Sequence, residues 1–240
     1  MARSVIVGHV ARSAVIAAMA IAGCSGKVNH LGDGRRDGDG GGSCVRGEVN
    51  ADEVLWIGDS WILFPGSQRT RVTDLARRAG ALPPAEDYVN GAEAASFMAD
   101  IEDQYATREA GATKVKVVLM DGGTWDTLVG KGSGASVTSA ANAFSQFLAR
   151  VAADGTVEHI VYFLPPEIPG IPGVAALRPF VQQACAQSVV PCHFLDVQLL
   201  WAGHPEYTDP ATGGILPTEA GAIVLADALW AIMQDECVAQ

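Results

Sequence analysis

The sequence has too little positive charge for a nucleic-acid-binding protein. Its 240 residues include 16 lysine and arginine residues against 27 aspartate and glutamate residues, and the formal net charge is −11 at pH 7. Proteins that bind a phosphate backbone need clustered cations, because much of their affinity comes from the counterions that those cations release. We therefore expect no nucleic-acid partner.

Long apolar runs and internal repeats are missing as well. No run reaches the roughly 18 apolar residues that a membrane-spanning helix requires. Hydrophobic residues nevertheless make up 49% of the chain and charged residues 18%, which is typical of a globular protein and excludes disorder for most of the chain. The sequence predicts one folded domain, which we expect to be a monomer.

The N-terminal segment has the pattern of a secretory signal peptide. Arg3 and Arg12 are its only charged residues, an apolar stretch covers residues 13–22, and small residues come last. A basic start, a short apolar core and a small-residue end are the features of an export signal. We predict that residues 1–23 are removed and that the protein is exported.

The end of this segment, Ile21-Ala22-Gly23-Cys24, resembles the lipobox of bacterial lipoproteins. The resemblance implies that the chain is cut before Cys24 and that lipid on this residue anchors the protein in a membrane. It also implies the outer membrane of a Gram-negative bacterium, because Ser25 and not aspartate follows the cysteine. We expect the anchor to be the only membrane contact. Plain secretion, with Cys24 unmodified, is the alternative.

A tether follows the proposed anchor. Residues 24–47 are rich in glycine and aspartate and have no apolar periodicity, which is typical of a flexible linker. The predicted organisation is a signal peptide at 1–23, a tether at 24–47 and a folded domain at 48–240.

Four cysteines remain besides Cys24, and an even number in an exported chain favours disulfides. Four cysteines allow three pairings. Cys185 and Cys192 are close in sequence, whereas Cys44 and Cys237 flank the folded domain. We expect the bridges 185–192 and 44–237; free buried thiols are the alternative.

Five short apolar runs alternate with helical patterns from residue 52 onward. This alternation predicts a parallel sheet with helices on both faces, a three-layer α/β/α sandwich with flavodoxin-like strand order. In such sheets the functional crevice lies at the carboxyl ends of the strands. The predicted strands are 54–58, 87–90, 115–120, 159–164 and 193–197, and the predicted helices are 69–79, 92–110, 137–153, 174–188 and 218–233.

Short motifs at these strand ends resemble, in order, the characteristic blocks of the SGNH/GDSL hydrolases. The resemblance covers about residues 52–235 and implies an ester hydrolase fold with Ser60 as nucleophile. It also implies that the Gly91 N–H is one of the donors to an oxyanion. The motifs are Ile57-Gly58-Asp59-Ser60, Gly91, Gly123-Thr124-Trp125-Asp126 and Leu216-Pro217-Thr218-Glu219-Ala220-Gly221.

Three of the chemical residues of that family are replaced here. The resemblance places the family's histidine base at Leu216, its orienting aspartate at Gly213 and its oxyanion-binding asparagine at Trp125. Leucine cannot accept a proton, and loss of the base costs orders of magnitude in rate in related triads. His204, in the loop after the fifth strand, is the candidate for a displaced base. A surface histidine without a catalytic role is the alternative.

Other side chains at the same end of the sheet could line the crevice. Trp61, Trp125 and Trp201 fall on its loops and would suit sugars or acyl groups, and Asp126 lies beside Trp125. Core packing is the alternative for each tryptophan.

Several carboxylates share this rim and could hold Mg²⁺ or Ca²⁺. Their spacing forms no motif, however, and we expect no metal and no cofactor. These carboxylates are Asp59, Asp121, Asp126, Glu167 and Asp209.

Two functions follow from these observations. The first is a cell-envelope hydrolase of an acyl or acetyl ester on a lipid or glycan, impaired or atypical in mechanism, with Ser60 and His204 as its catalytic residues. The second is an inactive lipoprotein of the same fold that binds a small-molecule or glycan ester in the old crevice.

Overall fold

A computed structural model describes residues 49–64, 67–170 and 172–239. Its strands are β1 (Val54–Ile57), β2 (Val89–Asn90), β3 (Val117–Met120), β4 (His159–Leu164) and β5 (Cys192–Asp196). Its helices are α1 (Ser60–Leu63), α2 (Gln68–Ala79), α3 (Met98–Glu109), α4 (Thr124–Val129), α5 (Gly134–Asp154), α6 (Val174–Ala186), α7 (Val197–Leu200) and α8 (Glu219–Asp235). Single 3₁₀ turns cover Ala51–Glu53, Pro205–Tyr207 and Pro210–Thr212.

The five strands are parallel and lie in the order β2-β1-β3-β4-β5, which confirms the predicted flavodoxin-like sheet. β1 and β3 lie inside the sheet and are buried along their whole length. They are unbroken apolar runs because a parallel sheet covered on both faces has no solvent side.

The helices form two layers, each with its own core. On one face α3, α5 and α6 pack on the sheet, with Phe144 and Phe147 of α5 fully buried. On the other face α2 and α8 do so, with Leu225 and Leu229 of α8 fully buried. The spacings of three and four residues place each pair on one side of its helix. The three-layer prediction is confirmed.

The third helix differs most from its prediction. It begins at Met98 and not near residue 92, and Phe97, which lies within the predicted range 92–110, precedes the helix and is 40% exposed. The Asp100 carboxylate accepts a hydrogen bond from the Phe97 N–H at 2.9 Å and so caps the helix there. Residues 92–97 are therefore free to form a loop at the carboxyl edge of the sheet.

One predicted disulfide lies within the described residues. Cys185–Cys192 joins the end of α6 to the start of β5, as expected. Cys237 is also disulfide-bonded. The predicted signal peptide and tether, with Cys24 and Cys44, lie outside the described residues. Within the described residues, no helix is long and apolar enough to cross a bilayer.

Candidate serine site at the carboxyl edge of the sheet

Ser60 is the first residue of α1, directly after the turn that ends β1. Gly58 makes this turn with φ at 137°, and a Cβ atom there would lie 1.9 Å from Asp121 Oδ1, so only glycine fits. The buried side chain of Gln104 holds the same turn. Its Oε1 accepts from the Gly58 N–H at 2.7 Å, and its Nε2 donates to the Gly58 carbonyl at 3.0 Å. Ser60 is thereby held half-exposed at a fixed position.

The backbone N–H that faces the serine belongs to Ala95. It donates to Ser60 Oγ at 3.3 Å. Ala95 has φ at 59°, a left-handed conformation that is unusual for alanine. Its neighbour Ser96 is fixed by hydrogen bonds to the Glu93 carbonyl and from the Gln104 side chain, at 2.8 and 2.9 Å. Ala95 is the donor that sequence analysis missed, because its residue type carries no signal for a left-handed turn.

The role predicted for Gly91 is not available to it. Its N–H donates to the Trp56 carbonyl at 2.8 Å, where it extends the pairing of β1 with β2. Because an amide hydrogen used in the sheet cannot also stabilise an oxyanion, we correct that assignment: Ala95 provides the amide next to Ser60.

Two buried carboxyl groups lie beneath the serine. The Asp59 N–H donates to Asp121 Oδ1 at 2.7 Å, and the Asp59 carboxylate accepts from the Ser60 N–H as the cap of α1. Burial raises the pKa of Asp59 to about 6. Burial, and next the charge of Asp59, raise the pKa of Asp121 well above its ordinary value. Asp121 Oδ2 has no hydrogen-bond partner among the described residues, and a buried carboxyl oxygen without a donor disfavours the ionised form.

Asp126, predicted as a pocket residue, has a structural partner instead. It is 7% exposed, and its Oδ2 accepts from the Met98 N–H at 2.8 Å, at the start of α3. Burial raises its pKa as well. Together with the caps formed by Asp59 and Asp209, this contact gives the rim carboxylates individual local roles. Within the described residues, no three His, Cys, Asp or Glu side chains are placed to hold a metal ion.

The tryptophans divide into core and crevice residues. Trp61 is 1% exposed, its Nε1 donates to the Ile215 carbonyl at 2.8 Å, and its ring centroid lies 5.4 Å from that of Trp201. Trp201 is 5% exposed. The prediction that these two rings present a face to a ligand is wrong, because both rings are buried in packing contacts. Trp125 is half-buried. Its backbone N–H lowers the pKa of Asp59, which places Trp125 beside the serine.

The comparisons with known proteins identify the fold. No protein-family model and no curated protein sequence matches the chain. Among solved structures, a carbohydrate esterase of family 3 from Talaromyces cellulolyticus is 19% identical, with a TM-score of 0.62 over 77% of this chain and 98% of its own. The acetyl xylan esterase AlAXEase is 12% identical, with a TM-score of 0.58 over 75% of this chain and 98% of its own. TesA is 16% identical, with a TM-score of 0.58 over 75% of this chain and 97% of its own. The chain has the SGNH hydrolase fold. At these identities the likeness establishes the fold alone.

The side chain at Leu216, the predicted position of the family's histidine, is apolar and packed. Leu216 is half-buried against the core between the sheet and α8. Its backbone lies beside the serine helix, because the neighbouring Ile215 carbonyl accepts the Trp61 indole hydrogen. Gly213 is exposed, with φ at 69° and open space around the position of a Cβ atom.

His204 is engaged elsewhere and not with the serine. Its Nδ1 lies 2.9 Å from Glu206 Oε1, and its ring stacks on Tyr207 at 4.7 Å. The rings of Tyr207 and Trp201 stand between His204 and Trp61, the neighbour of Ser60. Among the described contacts of His204, none reaches Ser60, so the predicted displaced pair is not assembled.

A cavity of about 720 Å³ lies against the loop that carries His204, between β5 and α8. Its walls come from the segment after β4 and the segment before α8. Prolines and glycines form much of the surface, with Glu206 as its one charged residue. The lining residues are Pro169, Pro205, Glu206, Thr208, Pro210, Gly213, Gly214 and Thr218. The cavity is therefore suited to an uncharged ligand.

Proposed function

We propose that this SGNH-fold protein binds an acylated ligand at the serine site and has lost hydrolysis by a Ser-His mechanism. The observation that carries the proposal is the environment of Ser60 Oγ: an amide donor faces it, and no imidazole among the described residues does. A serine hydroxyl becomes a useful nucleophile only when a base accepts its proton.

The elements that bind a carbonyl group are retained, which favours binding. At the exposed end of α1, Ser60 presents a hydroxyl group. The Ala95 N–H donates to Ser60 Oγ over a long 3.3 Å, and a ligand carbonyl would take this hydrogen bond over. Donors of this kind hydrogen-bond a carbonyl oxygen whether or not a reaction follows. Removing members of a catalytic triad leaves binding and oxyanion contacts in place while the rate falls by orders of magnitude.

An acetylated glycan is the ligand class that we propose. The structures similar in fold include an acetyl xylan esterase, two carbohydrate esterases of family 3 and an acetyl esterase. The net charge of −11 disfavours an anionic ligand, and the cavity beside Gly213 has a largely uncharged lining.

Binding and hydrolysis are tested together with acetylated xylo-oligosaccharide and its deacetylated form. We expect saturation-transfer NMR to show binding of the acetylated sugar only, and release of acetate no faster than with Ser60→Ala. Ser60→Phe, which fills the mouth of the site, should abolish binding, whereas Ser139→Phe on the exposed face of α5 should not. Equal binding of both sugars would overturn the ligand class.

An atypical hydrolase is the second candidate, since the Ala95 amide already faces the nucleophile. It requires the loop that carries His204 to move toward Ser60. Acetate release that disappears in both Ser60→Ala and His204→Gln would establish this function in place of the first.

We further propose that the protein is exported and anchored to the outer membrane through Cys24. The lipobox-like end of the signal sequence supports this proposal. An anchored domain on a tether would meet glycans of the cell envelope or its surroundings.

A further inference from the structure

Two histidines that the serine site does not use lie close together at the opposite, amino-terminal edge of the sheet. His159 begins β4, and His193 is the second residue of β5. His159 Nδ1 and His193 Nε2 are 3.1 Å apart, and both side chains are half-buried. No other pair of imidazoles is in contact within the described part of the chain.

Strand register explains why the two rings meet. Val161 is directly opposite His193, and residues two apart on a strand face the same side, so His159 shares that side. This is the face covered by α8, since Val161 packs in the same core as Leu229.

The surroundings of the pair favour a cation. Glu236, which directly follows α8, acts electrostatically on both imidazoles, and Glu158 acts on His159. The carboxyl-terminal end of a 17-residue helix adds partial negative charge. Apart from the effect of one imidazole on the other, the described groups that act electrostatically on these rings are therefore the two carboxylates, Glu158 and Glu236.

We propose that His159 Nδ1 and His193 Nε2 bind one divalent transition-metal ion of the Zn²⁺, Ni²⁺ or Cu²⁺ class. Zinc–nitrogen bonds of about 2.0–2.1 Å at a tetrahedral angle place two nitrogens about 3.4 Å apart, close to the 3.1 Å found here. Neutral imidazole is a ligand that these metals share. Since no third ligand among the described residues is already in place, water or a reoriented Glu236 completes the coordination.

The metal competes with a proton at this site. Without metal, one imidazole donates its N–H to the other, and with metal both nitrogens turn their lone pairs to the ion. Because both rings must be neutral to bind, affinity falls in acid.

The test is calorimetric titration of the full chain, without an added histidine tag, with ZnCl₂ and NiCl₂. We expect one equivalent to bind, at least tenfold weaker binding in His159→Gln and in His193→Gln, and no change in His204→Gln. His204 is a matched control because it also lies beside a glutamate. Unchanged affinity in both strand variants, or no binding by the wild-type protein, would overturn the proposal.

A measurement on the wild-type protein avoids reliance on variants that fold poorly. Zn²⁺ should shift the imidazole NMR resonances of His159 and His193 and leave those of His204 in place. A shift of the His204 resonances alone would place the metal elsewhere and contradict the site.

Discussion

Asp59 and Asp121 couple the serine turn to the protonation state of the protein interior. The Asp59 N–H to Asp121 bond joins the ends of β1 and β3, and both side chains are almost fully buried. Two ionised carboxylates buried beside each other would repel without solvent screening, and the charge of Asp59 does raise the pKa of Asp121. A proton held on the pair therefore belongs to the folded structure around Ser60.

The pair should make stability depend on pH. The pKa of Asp59 rises from 3.8 to about 6 on folding, so its contribution is complete below pH 4 and is lost as pH rises through 6. Asp59→Asn removes this loss and keeps an acceptor oxygen for the Ser60 N–H. We expect the gain in the free energy of unfolding that Asp59→Asn causes to be about 3 kcal/mol larger at pH 7 than at pH 4. Urea unfolding of the wild type and the variant at both pH values measures this difference.

Asp103→Asn is the control for simple loss of a negative charge, because Asp103 is exposed on α3. It should change stability equally little at both pH values. A stability increment for Asp59→Asn that is the same at pH 4 and pH 7 would contradict the titration of a buried carboxyl.

Restoring three side chains should restore activity if their positions are assigned correctly. The variant Trp125→Asn, Gly213→Asp, Leu216→His supplies donor, orienting group and base. An aspartate in place of Gly213 has room, because nothing lies within 4 Å of a Cβ atom at that position, and aspartate is among the residues that tolerate its left-handed φ of 69° best. A positioned base contributes about 10²–10⁴-fold. We expect p-nitrophenyl acetate hydrolysis to rise at least about 10²-fold.

The matched control carries glutamine in place of histidine at position 216, and a second control adds Ser60→Ala; neither should show the gain. A folded triple variant without any gain would contradict the placement of the base at residue 216.

The sequence placed Ser60 at the carboxyl end of β1 but did not indicate which amide faces it. Gly91 was the prominent residue after β2, yet its N–H lies in the sheet, and the N–H that donates to Ser60 belongs to the exposed Ala95. Residue types predict a left-handed turn when glycine is present; alanine at φ 59° depends on the contacts of Ser96 and Gln104. Contacts between distant segments of this kind have no signature in one sequence.

Among the elements, the long helices and central strands were predicted well and the shortest helices were not predicted. α1, α4 and α7 have four, six and four residues, which is about one turn and too short to show a 3.6-residue period. Each begins within a few residues of a strand end. The sequence therefore predicted the strands that position the site better than the turns that form it.

The Cys185–Cys192 bridge should stabilise the α6–β5 connection. It closes a short loop, with a sequence separation of 7, and the chain-entropy relation gives about 2.5 kcal/mol for such a loop. Cys185→Ala with Cys192→Ala should lower the free energy of unfolding by about this amount in a urea titration. A loss below about 0.5 kcal/mol would show that the bridge does not constrain the unfolded chain.

For the molecule as a whole, the alternation of strand and helix patterns was enough to predict the sheet order. Right-handed crossovers leave few ways to arrange five parallel strands. The same topology places the two proposed sites at opposite edges of the sheet. Ser60 lies at the carboxyl edge and the His159–His193 pair at the amino edge, so each can be altered without the other.

The proposed anchoring through Cys24 concerns the whole chain and is tested in cells. With Cys24→Ser, we expect loss of labelling by an alkyne-bearing fatty acid and a shift from the membrane to the soluble exported fraction, because the acyl chains supply the membrane affinity. Cys24→Ser that still incorporates the fatty acid would contradict the lipobox assignment.

The most direct test of the central claim, that Ser60 is not an activated nucleophile, is covalent labelling of the full-length protein with a fluorophosphonate probe. Intact-mass spectrometry would compare the wild type with Ser60→Ala. We expect no adduct on either protein over a time in which an active serine esterase reacts completely. A stoichiometric adduct on the wild type that is absent from Ser60→Ala would show that a base activates Ser60 and would contradict the account.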